Sequence, residues 1–294
     1  AQEYGASLLG ALMITWFARK AQPSETRRAI ALGYCVYDAI GAVVCLIAAL
    51  TGVMNFLGWA VVLLYLFSWL ALQLVSTVLI YFLTYYMGVP DMLPVVLLAL
   101  QGTSFVFLFI WAWVSRKLDK RYVYMIGATI WLTMQIALYF VQPQMSQLII
   151  PISMVAGAGV AVAYLIPWAM MPDVIEFDEL KTGQRREGIF YGFMVFLQKT
   201  GIAVGIFMVG RVLASTGYIT PTDAVPVPTQ PESALNAIRL FIGPIPAVIL
   251  VMGLIIAYFY PITRESHRKV RAALAARKAA ANTTLSDAPA PAAN

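Results

Sequence analysis

The feature that limits this chain most is a succession of apolar runs, most of them long enough to cross a hydrocarbon layer of roughly 30 Å as a helix. Short polar or basic stretches separate them, and eight are predicted, over residues 4–18, 29–53, 56–87, 92–114, 122–141, 148–171, 189–213 and 234–260. In hydrocarbon each backbone N–H and C=O must be satisfied without water, so runs of this length fold as helices. Of the 294 residues, 61% are hydrophobic and 12% charged, about half the charge that a soluble domain keeps. The predicted class is therefore an all-α integral membrane protein, and a soluble enzyme is excluded.

The basic residues set the expected topology. Arg116, Lys117, Lys120 and Arg121 share one connection, Lys181, Arg185 and Arg186 another two spans on, and six more follow residue 262. With alternating spans these regions fall on one side, which the positive-inside rule makes cytoplasmic. The connections at 88–91, 142–147 and 215–232 hold no Lys or Arg. The loop at 19–28 dissents, with four basic residues on the outer side; either it is tolerated or the short link at 51–55 hides a missing stretch. No leader pattern precedes residue 4, so the chain is expected to begin inside a longer protein. The net charge of +6 belongs to this topology and not to nucleic acid. Residues 262–278 are predicted to lie as a basic helix on anionic membrane lipids, and 279–294 to be disordered.

Several residues have no reason to sit among apolar neighbours unless they face something polar. Lys199 stands ten residues into its span, about 15 Å deep at 1.5 Å per residue. An ammonium at that depth faces a water-filled cavity or a carboxylate, as an ion-coupling or substrate-binding group or as one member of a structural pair. In the run 56–87, Trp69, Gln73, Ser76, Thr77, Tyr81 and Thr84 recur at helical spacing, a stripe that lines a cavity or bonds another helix. Tyr164 and Trp168 lie one turn apart beside Pro167, which makes an aromatic substrate wall or an interfacial belt. Asp38 is a candidate cation ligand. Gly201 and Gly205 form a small-xxx-small pair suited to close packing. Cys35 and Cys45 point in different directions on one helix and are read as reduced packing residues. His267, the only histidine, is in the tail, so no His-based metal or catalytic cluster is expected, and no phosphate-binding glycine loop suggests an ATP-driven pump.

One long stretch carries a family pattern. Pro167-Trp-Ala-Met-Met-Pro-Asp-Val-Ile-Glu-Phe-Asp-Glu-Leu-Lys-Thr-Gly-Gln-Arg-Arg-Glu-Gly-Ile-Phe-Tyr-Gly192, followed by Lys199 and Gly201, resembles the helix 10 to helix 11 region of the glycoside–pentoside–hexuronide:cation symporters. These are the melibiose-permease-like members of the major facilitator superfamily, to which the sodium-coupled lysolipid symporters are more distantly similar. Ser115-Arg-Lys-Leu-Asp-Lys-Arg121 resembles the basic loop between helices 8 and 9, and Tyr260-Pro-Ile-Thr-Arg-Glu265 the exit of helix 12. The resemblance implies that residues 56–260 are the C-terminal six-helix half, 1–55 two helices like helices 5 and 6, and 261–294 a cytoplasmic tail. It implies that Lys199 is the helix 11 lysine near the cation and sugar sites, Tyr164 a sugar-stacking aromatic and Asp173 the acid at the cytoplasmic end of helix 10.

The function expected from this reading is symport of a sugar or glycoside with Na⁺ or H⁺ through a multi-pass protein of the cell membrane, its C-terminus cytoplasmic. The cation is co-transported, with no bound cofactor. Lys199, Tyr164, Trp168, Gln73 and Trp69 are the expected substrate-side residues, Lys199 and Asp38 the cation-coupling ones, and Asp173, Glu176, Arg185 and Arg186 the cytoplasmic gate. A lysophospholipid substrate is the alternative, because apolar cavity walls accept an acyl chain. A non-transporting subunit acting through an exposed half-interface is the other. Rocking transport needs two six-helix halves, so a missing N-terminal half or a second copy is the expected partner.

Overall fold

The computed structural model describes residues 55–286 except residue 224, and these form a bundle of helices. The predicted spans at 4–18 and 29–53, the 19–28 loop, Asp38 and both cysteines lie outside the described residues. Among the described residues six segments are long and apolar enough to cross a membrane. The first is α1 (Phe56–Tyr81), lengthened by a π turn over Phe82–Tyr86. Then come α2 (Leu93–Val114), α3 (Lys120–Phe140) and α4 (Ile149–Thr182), followed by α5 (Glu187–Ser215). The sixth is made of α6 (Glu232–Ile242) and α7 (Pro244–Phe259), and a tail helix α8 (Arg264–Ser286) follows.

Helix α4 is central because its small residues let two neighbours come close on opposite sides. A Cβ added at Gly157 would collide with the carbonyl of Leu100 on α2, and one at Gly159 would sit 2.6 Å from the carbonyl oxygen of Gly127 on α3. Side chains tie the same faces: Ser104 Oγ and Trp111 Nε1 on α2 donate to the Gly157 and Ala158 carbonyls, each at 2.8 Å. Burial follows this order, with 61% of the apolar window of the α4 segment buried against 11% for that of α2. The outer face of α2, with Phe105 and Phe109, is exposed among the described residues. On the other side of α1, Gly201 and Gly205 bring α5 against Leu66 and Gln73, so the small-xxx-small pair is a packing face.

Two boundaries differ from the sequence expectation. The run expected at 148–171 continues through Pro172 and Asp173 to Thr182, where Gly183 at φ 73° closes it. At 34 residues α4 is about 50 Å long, so its last turns extend past a hydrocarbon layer of roughly 30 Å. The run expected at 234–260 is broken at Gly243. Pro246 has no N–H for the Ile242 carbonyl four residues back, and Gln135 Nε2 donates to that carbonyl instead. The tail differs too: α8 continues to Ser286, eight residues into the segment expected to be disordered. Its apolar residues Val270 and Leu274 are buried, and its cations reach the extension of α4.

Candidate functional site

The sequence-predicted aromatic residues converge. Tyr65 and Trp69 are one turn apart on α1, Tyr164 and Trp168 one turn apart on α4, and Tyr191 opens α5, so three helices present rings to one place. The rings form a chain. Tyr164 meets Trp69 edge-on at 5.7 Å, Trp69 meets Tyr65 at 5.9 Å, Tyr65 meets Trp168 at 6.0 Å, and Trp168 stacks on Tyr191 at 5.7 Å. Trp168 Nε1 donates to Tyr65 Oη at 3.0 Å, which fixes the central pair. Trp69 Nε1 is buried with no hydrogen-bond acceptor among the described residues. Trp168 is 40% exposed and Tyr164, Trp69 and Tyr191 half-buried, so the chain offers ring faces without formal charge.

Beside it lies a cavity of about 120 Å³ between α1, α2, α3 and α4. Its walls are mostly aliphatic, among them Leu72, Val75, Leu79, Leu100, Ile149 and Val160. Ser76 and Gln101 stand exposed at its edge. Tyr164 lines the cavity as well as the aromatic chain and donates weakly to Gln101 Oε1 at 3.5 Å. One side chain thus joins a polar, aromatic surface to an apolar hollow.

The other expected residues are placed separately. Gln73 lies one turn beyond Trp69, donates to Thr77 Oγ1 at 3.0 Å and packs on Gly205, so it stands beside the ring chain and not in it. Lys199 is exposed on α5. It lies two residues, about 200°, around the helix from Gly201, which packs on α1, and this turns it away from α1. Tyr65 was missed by sequence reasoning although its i, i+4 relation to Trp69 was available as a signal.

Asp173, Glu176, Arg185 and Arg186 are all in ion pairs, but with other partners than one another. Lys120 Nζ donates to both carboxylate oxygens of Asp173, at 2.8 and 2.6 Å, and to the Ala169 carbonyl at 2.6 Å. Glu176 Oε2 is 2.6 Å from His267 Nε2, and Arg185 bridges Glu179 and Glu187. Arg186 donates to Asp178 through Nε and Nη2 at 2.8–3.0 Å, and Asn55 Nδ2 donates to the same carboxylate at 3.1 Å. Lys278 of α8 reaches Glu179 at 3.2 Å, so the three basic regions of the sequence meet at one end of the bundle. Burial, and after it the charge of Asp173, raise the Tyr260 phenol pKa; it therefore stays neutral. Among the described residues no group of three or more His, Cys, Asp or Glu is arranged to hold a metal ion.

Comparison with known proteins agrees with this architecture. The sequence profile of the family described as MFS/sugar transport protein matches residues 55–264. An uncharacterized symporter of Synechocystis sp. is 48% identical over 216 residues, which cover 73% of this chain and 40% of that protein. The human sodium-dependent lysophosphatidylcholine symporter 1 is 31% identical over 218 residues, 72% of this chain and 38% of its own length. A sphingosine-1-phosphate transporter of Xenopus tropicalis is 30% identical over 170 residues, covering 56% and 31%. The chain spans about two-fifths of the length of the first of these curated relatives and less of the others.

Proposed function

The chain belongs to the MFS/sugar transport family, and from that premise we propose that it serves sodium-coupled symport of a lysophospholipid, with a choline-type headgroup on the aromatic chain and the acyl chain directed into the neighbouring cavity. The observation that carries this reading is Tyr164, shared by a neutral aromatic surface and an aliphatic hollow. Aromatic faces attract quaternary ammonium groups through their quadrupole, by about 0.5–2 kcal/mol per ring according to desolvation, and the hollow removes methylenes from water at about 0.8 kcal/mol each. A carbohydrate needs stacking faces too, but it has no use for the aliphatic hollow. The two relatives above whose names give a substrate name amphiphiles, and the lysophosphatidylcholine symporter is named sodium-dependent, which supports Na⁺ and turns the sugar expectation toward its lysolipid alternative.

Lys199 retains its proposed coupling role from its charge and its exposed place within the α5 span. Asp173, Glu176, Arg185 and Arg186 are proposed to lock one end of the bundle, on the side the basic residues make cytoplasmic. A sugar is the second reading, favoured by the Gln73 amide one turn from Trp69, by the Gln101 amide at the Tyr164 hydroxyl and by the family description.

The test is uptake by the intact protein in sealed vesicles under an inward Na⁺ gradient. Labelled lysophosphatidylcholine should be drawn inward with the gradient and stop when it collapses, whatever the ATP supply. Accumulation of a glycoside without the lysolipid would establish the second reading. Absence of both, counterflow included, would leave a non-transporting subunit.

A further inference from the structure

At the tail end of the bundle a cleft of about 890 Å³ separates the α2–α3 turn from the first turns of α8. The transport reading leaves it unused. Its lining includes Lys120, Arg264, Arg268 and Arg271 against two carboxylates, Asp173 and Glu265. Both carboxylates are taken: Asp173 by Lys120 at 2.6 Å, and Glu265 by Lys269 at 2.8 Å. Three guanidiniums remain on the cleft. Arg264 uses Nη1 on the Lys117 carbonyl at 2.6 Å, and Arg271 stands 4.0 Å from Glu176. Arg268 makes no hydrogen bond or ion pair among the described residues. Positions 264, 268 and 271 follow i, i+4, i+7 spacing, so the three cations share one face of α8 and repel one another until an anion lies between them.

A second observation fixes the depth of the cleft. Trp113, Tyr122, Tyr258 and Phe259, at the same ends of α2, α3 and α7, are 46–70% exposed. Lys117 lies over the Trp113 ring at 3.8 Å and Arg121 over Tyr122 at 4.6 Å. Exposed rings of this kind, flanked by cations, form the belt that sits among lipid headgroups. Ser115 and Lys120, two residues from Trp113 and Tyr122, line the cleft, so it opens at phosphate level. The apolar side of α8 is already buried against protein through Val270 and Leu274, as is Ile262 just before it.

We infer that this cleft binds the phosphodiester headgroup of an anionic membrane phospholipid, with Arg264, Arg268 and Arg271 as its ligands and the acyl chains running outward past Trp113 and Tyr122. Guanidinium forks match phosphate oxygens in pairs, and a lipid is favoured over a free anion because the site lies at the belt. The bound headgroup bridges α8 to the start of α3. The inference rests on the membrane-spanning reading and is independent of the transported substrate.

Native mass spectrometry of the intact protein tests it, after delipidation and re-exposure to equimolar dioleoyl phosphatidylglycerol and dioleoyl phosphatidylcholine. The unmodified protein should retain phosphatidylglycerol preferentially. Replacing all three arginines by Gln should weaken that binding by roughly tenfold or more, and Lys181→Gln, which removes an exposed cation of α4 outside the cleft, should leave it unchanged. Arg268→Glu removes no hydrogen bond or ion pair among the described residues, so it separates loss of the site from misfolding and should weaken phosphatidylglycerol binding with little change in melting temperature. Equal phosphatidylglycerol retention in the unmodified and triple-variant proteins, or equal retention of the two lipids by the unmodified protein, would overturn the proposal. Retention of inorganic phosphate in place of phosphatidylglycerol would overturn the lipid assignment in favour of a free-anion site.

Discussion

Along α4, Gly157 and Gly159 meet neighbouring backbones and Tyr164 and Trp168 meet rings, whereas past Pro172 the acids Asp173, Glu176, Asp178 and Glu179 lie within 4.0 Å of Lys120, Arg271, Arg186 and Arg185. The same helix is thus held by shape and uncharged contacts over one stretch and by charge over the next. The change follows the surroundings. Within hydrocarbon an ionised group is costly, while a 34-residue helix carries its last turns beyond that layer, where carboxylates can recruit Lys and Arg from other segments. Under the proposed function the neutral stretch handles the substrate and the charged one holds the end of the bundle.

Four changes probe that division. The largest effect is expected for Lys199→Ala, because Lys199 is the cation proposed to couple transport. Na⁺-driven accumulation by the intact protein should be lost while membrane insertion persists, since removing a charge from a span eases insertion by about 2.5–3.5 kcal/mol. Normal accumulation in this variant would leave Lys199 with a structural role only. On the charged stretch, Arg186→Ala strands Asp178, whose side chain is 2% exposed, and should cost about 3 kcal/mol, the lower end for a broken buried pair, because Arg186 is itself partly exposed. Reversible unfolding in mixed micelles reads this out, and a loss below about 1 kcal/mol would mean the pair behaves like a surface one. Tyr164→Ala should raise the KM for lysophosphatidylcholine by about tenfold, or roughly 1.4 kcal/mol, with a much smaller effect on stability; the reverse pattern would make the tyrosine a packing residue. The smallest effect is expected for Lys269→Ala, because Lys269 and Glu265 are 75% and 65% exposed. The loss should be at most about 0.5 kcal/mol in the same unfolding measurement, and a larger one would show that α8 is held from its outer face as well.

The neutral stretch could be read from sequence far better than the charged one. Trp69, Tyr164 and Trp168 announce themselves as polar-edged rings at one-turn spacing in apolar runs, and they do meet. Tyr65, hidden by its burial on α1, needed the neighbouring helix to give it a role. The extension of α4 was obscured because Pro172 and a dense set of acids look locally like a loop. What keeps it helical is distant: Asn55 and Asp178 are 123 residues apart in the chain, and His267 and Glu176 are 91 apart. Gln135 is a similar case, since its value lies in the carbonyl that Pro246 leaves free on another helix. Lys199 was conspicuous by depth alone, but which way it faces depends on Gly201 and Gly205 being the packing side of α5.

The proposed function stands on the join between aromatic surface and apolar hollow, and photo-crosslinking tests that join most directly. A lysophosphatidylcholine with a diazirine at the end of its acyl chain is bound to the intact protein in Na⁺, irradiated and mapped by peptide mass spectrometry. The predicted result is labelling at cavity residues such as Leu100 and Val160, suppressed by unlabelled lysolipid and reduced by Tyr164→Ala. Labelling confined to the exposed outer side of α2, at Phe105 and Phe109, and insensitive to competitor would contradict it.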